Sequence, residues 1–153
     1  MYNYTDELGN KLNSLLEKNY DAEKGYKKAA ENAKSDGLTR FFERKSAERY
    51  NFGHEIKQEL SNLNQEPDKG GSVAGAAHRT WMDVKSWFSS DNDEAMLEAA
   101  ITGEKAALEE YNEVLSNKTE PHIPAQMMGV LGKQRMVIQS ELETIKRLED
   151  IID

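Results

Sequence analysis

The chain has 153 residues, with 28 acidic and 20 basic side chains, a net charge of −8 and no cysteine. That length fits one domain, 1–153, with a sizeable core, and the missing thiols exclude disulfide scaffolds, Cys-ligated zinc, iron–sulfur clusters and thiol catalysis. The acidic balance argues against nucleic acid as a partner. No apolar run approaches the roughly 20 residues that span a bilayer, and Met1 to Glu7 carry neither a basic nor an apolar signal region; a cytoplasmic protein with no membrane partner is expected.

Proline and glycine set the punctuation, and Ala, Leu, Glu and Lys fill the stretches between them. The first predicted helix runs over about 5–34, with Leu8, Leu12, Leu15, Asn19, Ala22, Tyr26, Ala29 and Ala33 on one stripe. Thr5 reads as its N-cap. Ser35-Asp36-Gly37 makes the turn. The second helix, 38–63, carries Leu38, Phe42, Lys45, Arg49, Phe52, Ile56, Leu60 and Leu63 at helical spacing. A shorter helix fits 72–88, with Val73, Ala77, Trp81, Val84 and Phe88 on one face. The next, 93–116, carries Leu97, Ile101, Glu104, Leu108, Tyr111 and Leu115. Pro124 suits the first turn of the last helix, 124–152, striped by Met127, Leu131, Gln134, Ile138, Leu142, Ile145, Leu148 and Ile152.

No run alternates at period two, so no sheet is expected. Short connections at 35–37 and 117–123 imply two antiparallel hairpins, and 65–92 is a long connection containing its own helix. That is the plan of an all-α, ferritin-like antiparallel four-helix bundle with an additional short crossover helix. An irregular five-helix bundle is the competing plan.

Polar residues interrupt the stripes at one depth. Asn19 lies about as far before the Asp36 turn as Asn51 lies after it, and Glu104 and Gln134 flank the second turn equally. Asn19, Arg49, Asn51 and Gln134 therefore read as a buried polar layer with Glu104, flanked by Glu48, Glu23 and Glu55. One use of such a layer is a carboxylate metal site. Di-iron and di-manganese bundles take one Glu from each of two helices and Glu-x-x-His from each of the others, because i and i+3 share a helix face. Glu104 is the first candidate ligand, then Glu48, Glu23 and Glu55. Glu-x-x-His is absent, since Asn51, Gly75 and Thr119 precede His54, His78 and His122 by three. Arg49 beside Glu48 would also repel a metal. The other use is structural: a satisfied polar layer that fixes helix register, with Glu104 bonded to Gln134 and Glu23 to Arg49. A second cluster, His78, Arg79 and Trp81, sits on the short helix and is read as packing against one end of the bundle.

Three blocks resemble an uncharacterised bacterial four-helix-bundle family, a domain of unknown function of the ferritin-like superfamily. They are Asp21 to Ala30, Gly71 to Lys85, and Gly103 to Leu108 continuing to Tyr111 and Leu115. The resemblance covers about 8–150 and implies a ferritin-like plan and a bacterial cytoplasmic origin, with no activity to carry over. Where the family tends to show His-Asp-x-Ile, this chain has Leu142-Glu143-Thr144-Ile145.

Two functions of different class follow. The leading one is a non-catalytic bundle, stress-related or partner-binding, self-associating as a dimer and needing no cofactor. The alternative is a carboxylate-ligated iron- or manganese-binding protein, or a ferroxidase-like oxidoreductase.

Overall fold

The computed structural model describes residues 4–67, 93–116 and 122–152. These residues form four α-helices and no strand: α1, Tyr4–Asn32; α2, Asp36–Asn62; α3, Asp93–Leu115; and α4, Ala125–Ile152. The expected helix at 72–88, with His78, Arg79 and Trp81, lies outside the described residues.

Local chemistry sets the helix ends. Ser35 is the N-cap of α2: its backbone is extended, and its hydroxyl accepts from the Leu38 N–H at 3.3 Å. The turn is therefore centred on Lys34, two residues before Asp36, where the sequence reading centres it. Thr5 is not a cap, because α1 already begins at Tyr4. At the far end of α2, Asn64 takes φ 56° and the Gln65 N–H donates to the Leu60 carbonyl at 2.9 Å. Asn accepts this left-handed backbone at low cost, which ends the helix.

Hydrogen bonds between helices fix their directions. Asn19 meets Arg49, and the Ser46 hydroxyl donates to the Glu23 carbonyl at 3.0 Å, so α1 and α2 are antiparallel. Asp93 at the start of α3 accepts from the Lys34 and Ser35 N–H groups at 2.9 and 3.2 Å. Tyr111 near the end of α3 meets Asn19, so α3 also opposes α1. Gln134 and Gln126 of α4 reach Glu55 and Glu59 of α2, which makes α4 antiparallel to α2. The four directions are up, down, down, up.

Gln65 and Glu66 bond Asp6 and Asn13 beside the start of α1, whereas Asp93 sits at its end. The chain leaves α2 at one end of the helices and enters α3 at the other. With 29 residues, α1 separates those ends by about 43 Å.

The apolar core falls into two compartments. Ala22, Tyr26, Phe42, Leu97, Ala100 and Ile145 belong to the one nearer the 33–35 turn. Leu12, Leu15, Phe52, Ile56, Leu131 and Ile138 belong to the other. Three stripes match the expected faces, but that of α3 is rotated. Ile101, Leu108 and Leu115 are only partly buried, while Met96, Ala99, Ala100, Ala107 and Val114 are fully inside. Leu97 stays inside, while Leu108 and Leu115 move to the rim and alanines take much of the inner face. Replacing Ser35 by Ala should lower stability by about 1 kcal/mol, read as a shift in the urea midpoint at unchanged m-value.

Candidate functional site

The two compartments meet at a layer of polar side chains contributed by all four helices. Arg49 of α2 is its centre and is fully buried. Its Nη1 donates to Asn19 Oδ1 at 2.7 Å, and its Nη2 donates to Glu104 Oε1 in a buried ion pair. Asn19 Nδ2 donates to the Leu15 carbonyl at 2.8 Å and to the Tyr111 hydroxyl at 2.9 Å. The Tyr111 hydroxyl donates to Gln134 Oε1 at 2.6 Å. Gln134 Nε2 donates to the Phe52 carbonyl at 3.2 Å and to Glu55 Oε1 at 2.8 Å. The guanidinium also lies 5.8 Å from the centre of the Phe52 ring. The chain of bonds thus runs Glu104, Arg49, Asn19, Tyr111, Gln134, Glu55.

Electrostatics follow from burial. Desolvation opposes the Arg49 charge, but Glu104, with help from Tyr26 and Tyr111, outweighs it and leaves the guanidinium more basic than usual. Burial pushes the Tyr111 phenol up to about 12, against the opposing pull of Arg49 and the Asn19 hydrogen bond. Burial and then the Glu104 charge hold Tyr26 well above its ordinary value. Two polar atoms at the centre, Arg49 Nε and Glu104 Oε2, are buried without a hydrogen bond among the described residues.

The residues singled out by sequence are distributed unevenly over this geometry. Asn19, Arg49, Glu104 and Gln134 do form one layer. Asn51 does not: it is exposed, because the turn is centred on Lys34 and the residue level with Asn19 is Arg49. Glu104 bonds Arg49 and not Gln134, and Arg49 bonds Glu104 and not Glu23. Glu23 is half-buried, and its carbonyl holds Ser46. Glu48 pairs with the buried ammonium of Lys45, one turn from the layer. Glu55 is largely exposed and reaches in to Gln134. Among the described residues, no three His, Asp or Glu side chains are grouped so as to hold a metal ion.

Tyr111 is the member that sequence reasoning under-read. It stood on the stripe as packing, yet its hydroxyl joins α1 to α4. Its position seven residues after Glu104, two turns along one face, was the available signal. Open grooves lie elsewhere. One of about 270 Å³ between α1 and α3 is lined by Glu7, Lys11, Ser14, Glu110 and Glu113, and one of about 340 Å³ between α3 and α4 by Leu115, Met128, Gly132 and Arg135. No member of the layer lines either groove.

Removing one partner of the central pair strands the other. Arg49→Met should cost about 3–5 kcal/mol, and Arg49→Met with Glu104→Leu should recover most of that loss, as read by urea unfolding. The tyrosines give a pH test. A phenol whose folded value exceeds its unfolded value, ordinarily about 10, keeps its proton longer in the native state. Its stabilisation is complete below the unfolded value and lost as pH rises towards the folded value. Tyr111, at about 12, should thus stay un-ionised in absorbance titration until the fold loosens above pH ~10. Tyr111→Phe should remove one late-titrating phenol.

Searches of curated proteins and of solved structures found no match. A scan of protein families matched residues 7–117, a segment that holds all but the first three residues of α1, the whole of α2 and α3, and none of α4. The chain belongs to the family described as Domain of unknown function (DUF2383).

Proposed function

We propose that the protein is a non-catalytic ferritin-like bundle that acts through its outer surface, with an ion pair in the position where relatives of that architecture hold metals. The observation that carries this reading is the Arg49–Glu104 pair at the centre of the helices. In carboxylate-bridged bundles the facing side chains at this depth are anionic or imidazole ligands that converge on a cation. Here the guanidinium supplies the positive charge, and it occupies Glu104, the candidate ligand best placed by sequence. A dication would have to displace a buried, hydrogen-bonded guanidinium and leave it without a counter-charge.

The ferritin-like assignment is supported by the up-down-down-up directions and by a connection that joins opposite ends of the helices. One long crossover between two hairpins is the plan that distinguishes this architecture from the simple up-down-up-down bundle. No described helix is long and apolar enough to cross a membrane.

The rival reading, an iron or manganese protein, draws on one observation: Glu104 Oε2 is buried with no hydrogen bond among the described residues. That oxygen is the atom a cation would take, and the Tyr26 phenol interacts with the same carboxylate. The deciding measurement is metal content by mass spectrometry on untagged protein, before and after incubation with Fe²⁺, Mn²⁺ or Zn²⁺. The expected result is no stoichiometric retention. About one or two equivalents retained, and lost in Glu104→Gln at unchanged helix content, would overturn the proposal.

A further inference from the structure

The two helical hairpins, α1 with α2 and α3 with α4, each pack closely within themselves, whereas the contacts between them are fewer. Across that boundary the apolar compartments are poorly directional. The buried face of α3 carries Leu97, Ala100, Ala107 and Val114 at helical spacing around Glu104 and Tyr111, so a slip of one turn would bring a glutamate or a tyrosine to an alanine's place. The polar layer is different. Its bonds Arg49–Glu104, Asn19–Tyr111, Gln134–Phe52 and Gln134–Glu55 all cross from one hairpin to the other.

We infer that the Arg49-centred layer is a conformational latch: its cross-hairpin bonds select one docking register of the two hairpins. If α3 slipped by one turn, Ala100 or Leu108 would stand where Glu104 stands. Arg49 would keep Asn19 but lose its counter-charge, the kind of arrangement that is most costly in a protein interior. Asn19 would lose Tyr111, and Gln134 would lose the Phe52 carbonyl and Glu55, in the same movement. A polar group at one core position fixes register in coiled coils by the same physics. This inference rests on the reading of Arg49 and Glu104 as a resident ion pair.

The chain has no cysteine, so two can be introduced as unique spin-label sites. Lys24 on α1 and Glu113 on α3 are exposed and offset along the axis, so an axial slip changes the distance between them. Labels at Lys24→Cys and Glu113→Cys should give one narrow distance by pulsed electron resonance in the otherwise unchanged chain. Adding Arg49→Met and Glu104→Leu should keep the helix content but broaden the distribution or add a second population. That population should correspond to an axial slip of about 5.4 Å, one helical turn. The same narrow distance in that variant would overturn the inference. If the double replacement fails to fold, Tyr111→Phe carries the test, because it deletes the cross-hairpin bond to Asn19 and the support of Gln134 with little change in volume. Partial broadening is expected, and an unchanged distance again overturns the inference. Retained metal would refute the resident ion pair; an unchanged distance in metal-free protein would refute the latch alone.

Discussion

A guanidinium with none of its surface exposed to water must find its counter-charge inside the protein. Arg49 sets that condition for this fold. It sits in α2 and its carboxylate partner, Glu104, sits in α3 of the other hairpin, so the two hairpins must meet face to face at that level. The requirement then spreads. Asn19 satisfies a second guanidinium nitrogen, Tyr111 is held by Asn19, and Gln134 is held by Tyr111. One buried charge in this way draws a side chain from every helix into a single plane.

The apolar compartments on either side do different work. They supply the burial that holds the helices together, through leucines, phenylalanines and closely packed alanines. Apolar burial is non-directional, and it tolerates several alignments of two smooth helical faces. Directional bonds reject the alternatives. Stability and uniqueness are thus assigned to different residues, with the layer contributing less to the first than its bond count suggests, since bringing a charge inside offsets much of the gain.

The same layer bears on chemistry. A bundle of this plan concentrates carboxylates at mid-depth, where a metal is one way to neutralise them. An arginine is another, and it needs no ligand from outside. Lys45 with Glu48 repeats the solution one turn away, here with the cation as the more buried partner. Arg49 and Lys45 thus pair with Glu104 and Glu48 at the two levels, while Glu55 bonds Gln134 instead.

Much of this was legible in the sequence because helical periodicity is a local signal. The stripes on α1, α2 and α4, the breaks between them and the polar positions Asn19, Arg49, Glu104 and Gln134 follow from spacing alone. The level of the layer also followed from the positions of the turns, to within the two residues by which Asp36 misplaces the centre at Lys34. Those two residues sufficed to turn Asn51 outward, because two positions along a helix rotate a side chain by more than half a turn. Partner identity was not legible. Whether Glu104 faces Arg49 or Gln134, and whether Tyr111 merely packs or bonds, depends on how one hairpin is set against the other. So does the rotation of α3 onto its alanines, since a hydrophobic pattern ranks leucine above alanine and contains no term for close approach. Sequence determined the four described helices and the inward polar positions Asn19, Arg49, Glu104 and Gln134, though not the outward turn of Asn51. Only tertiary packing decided which of those positions touch, because that choice is made by groups distant along the chain.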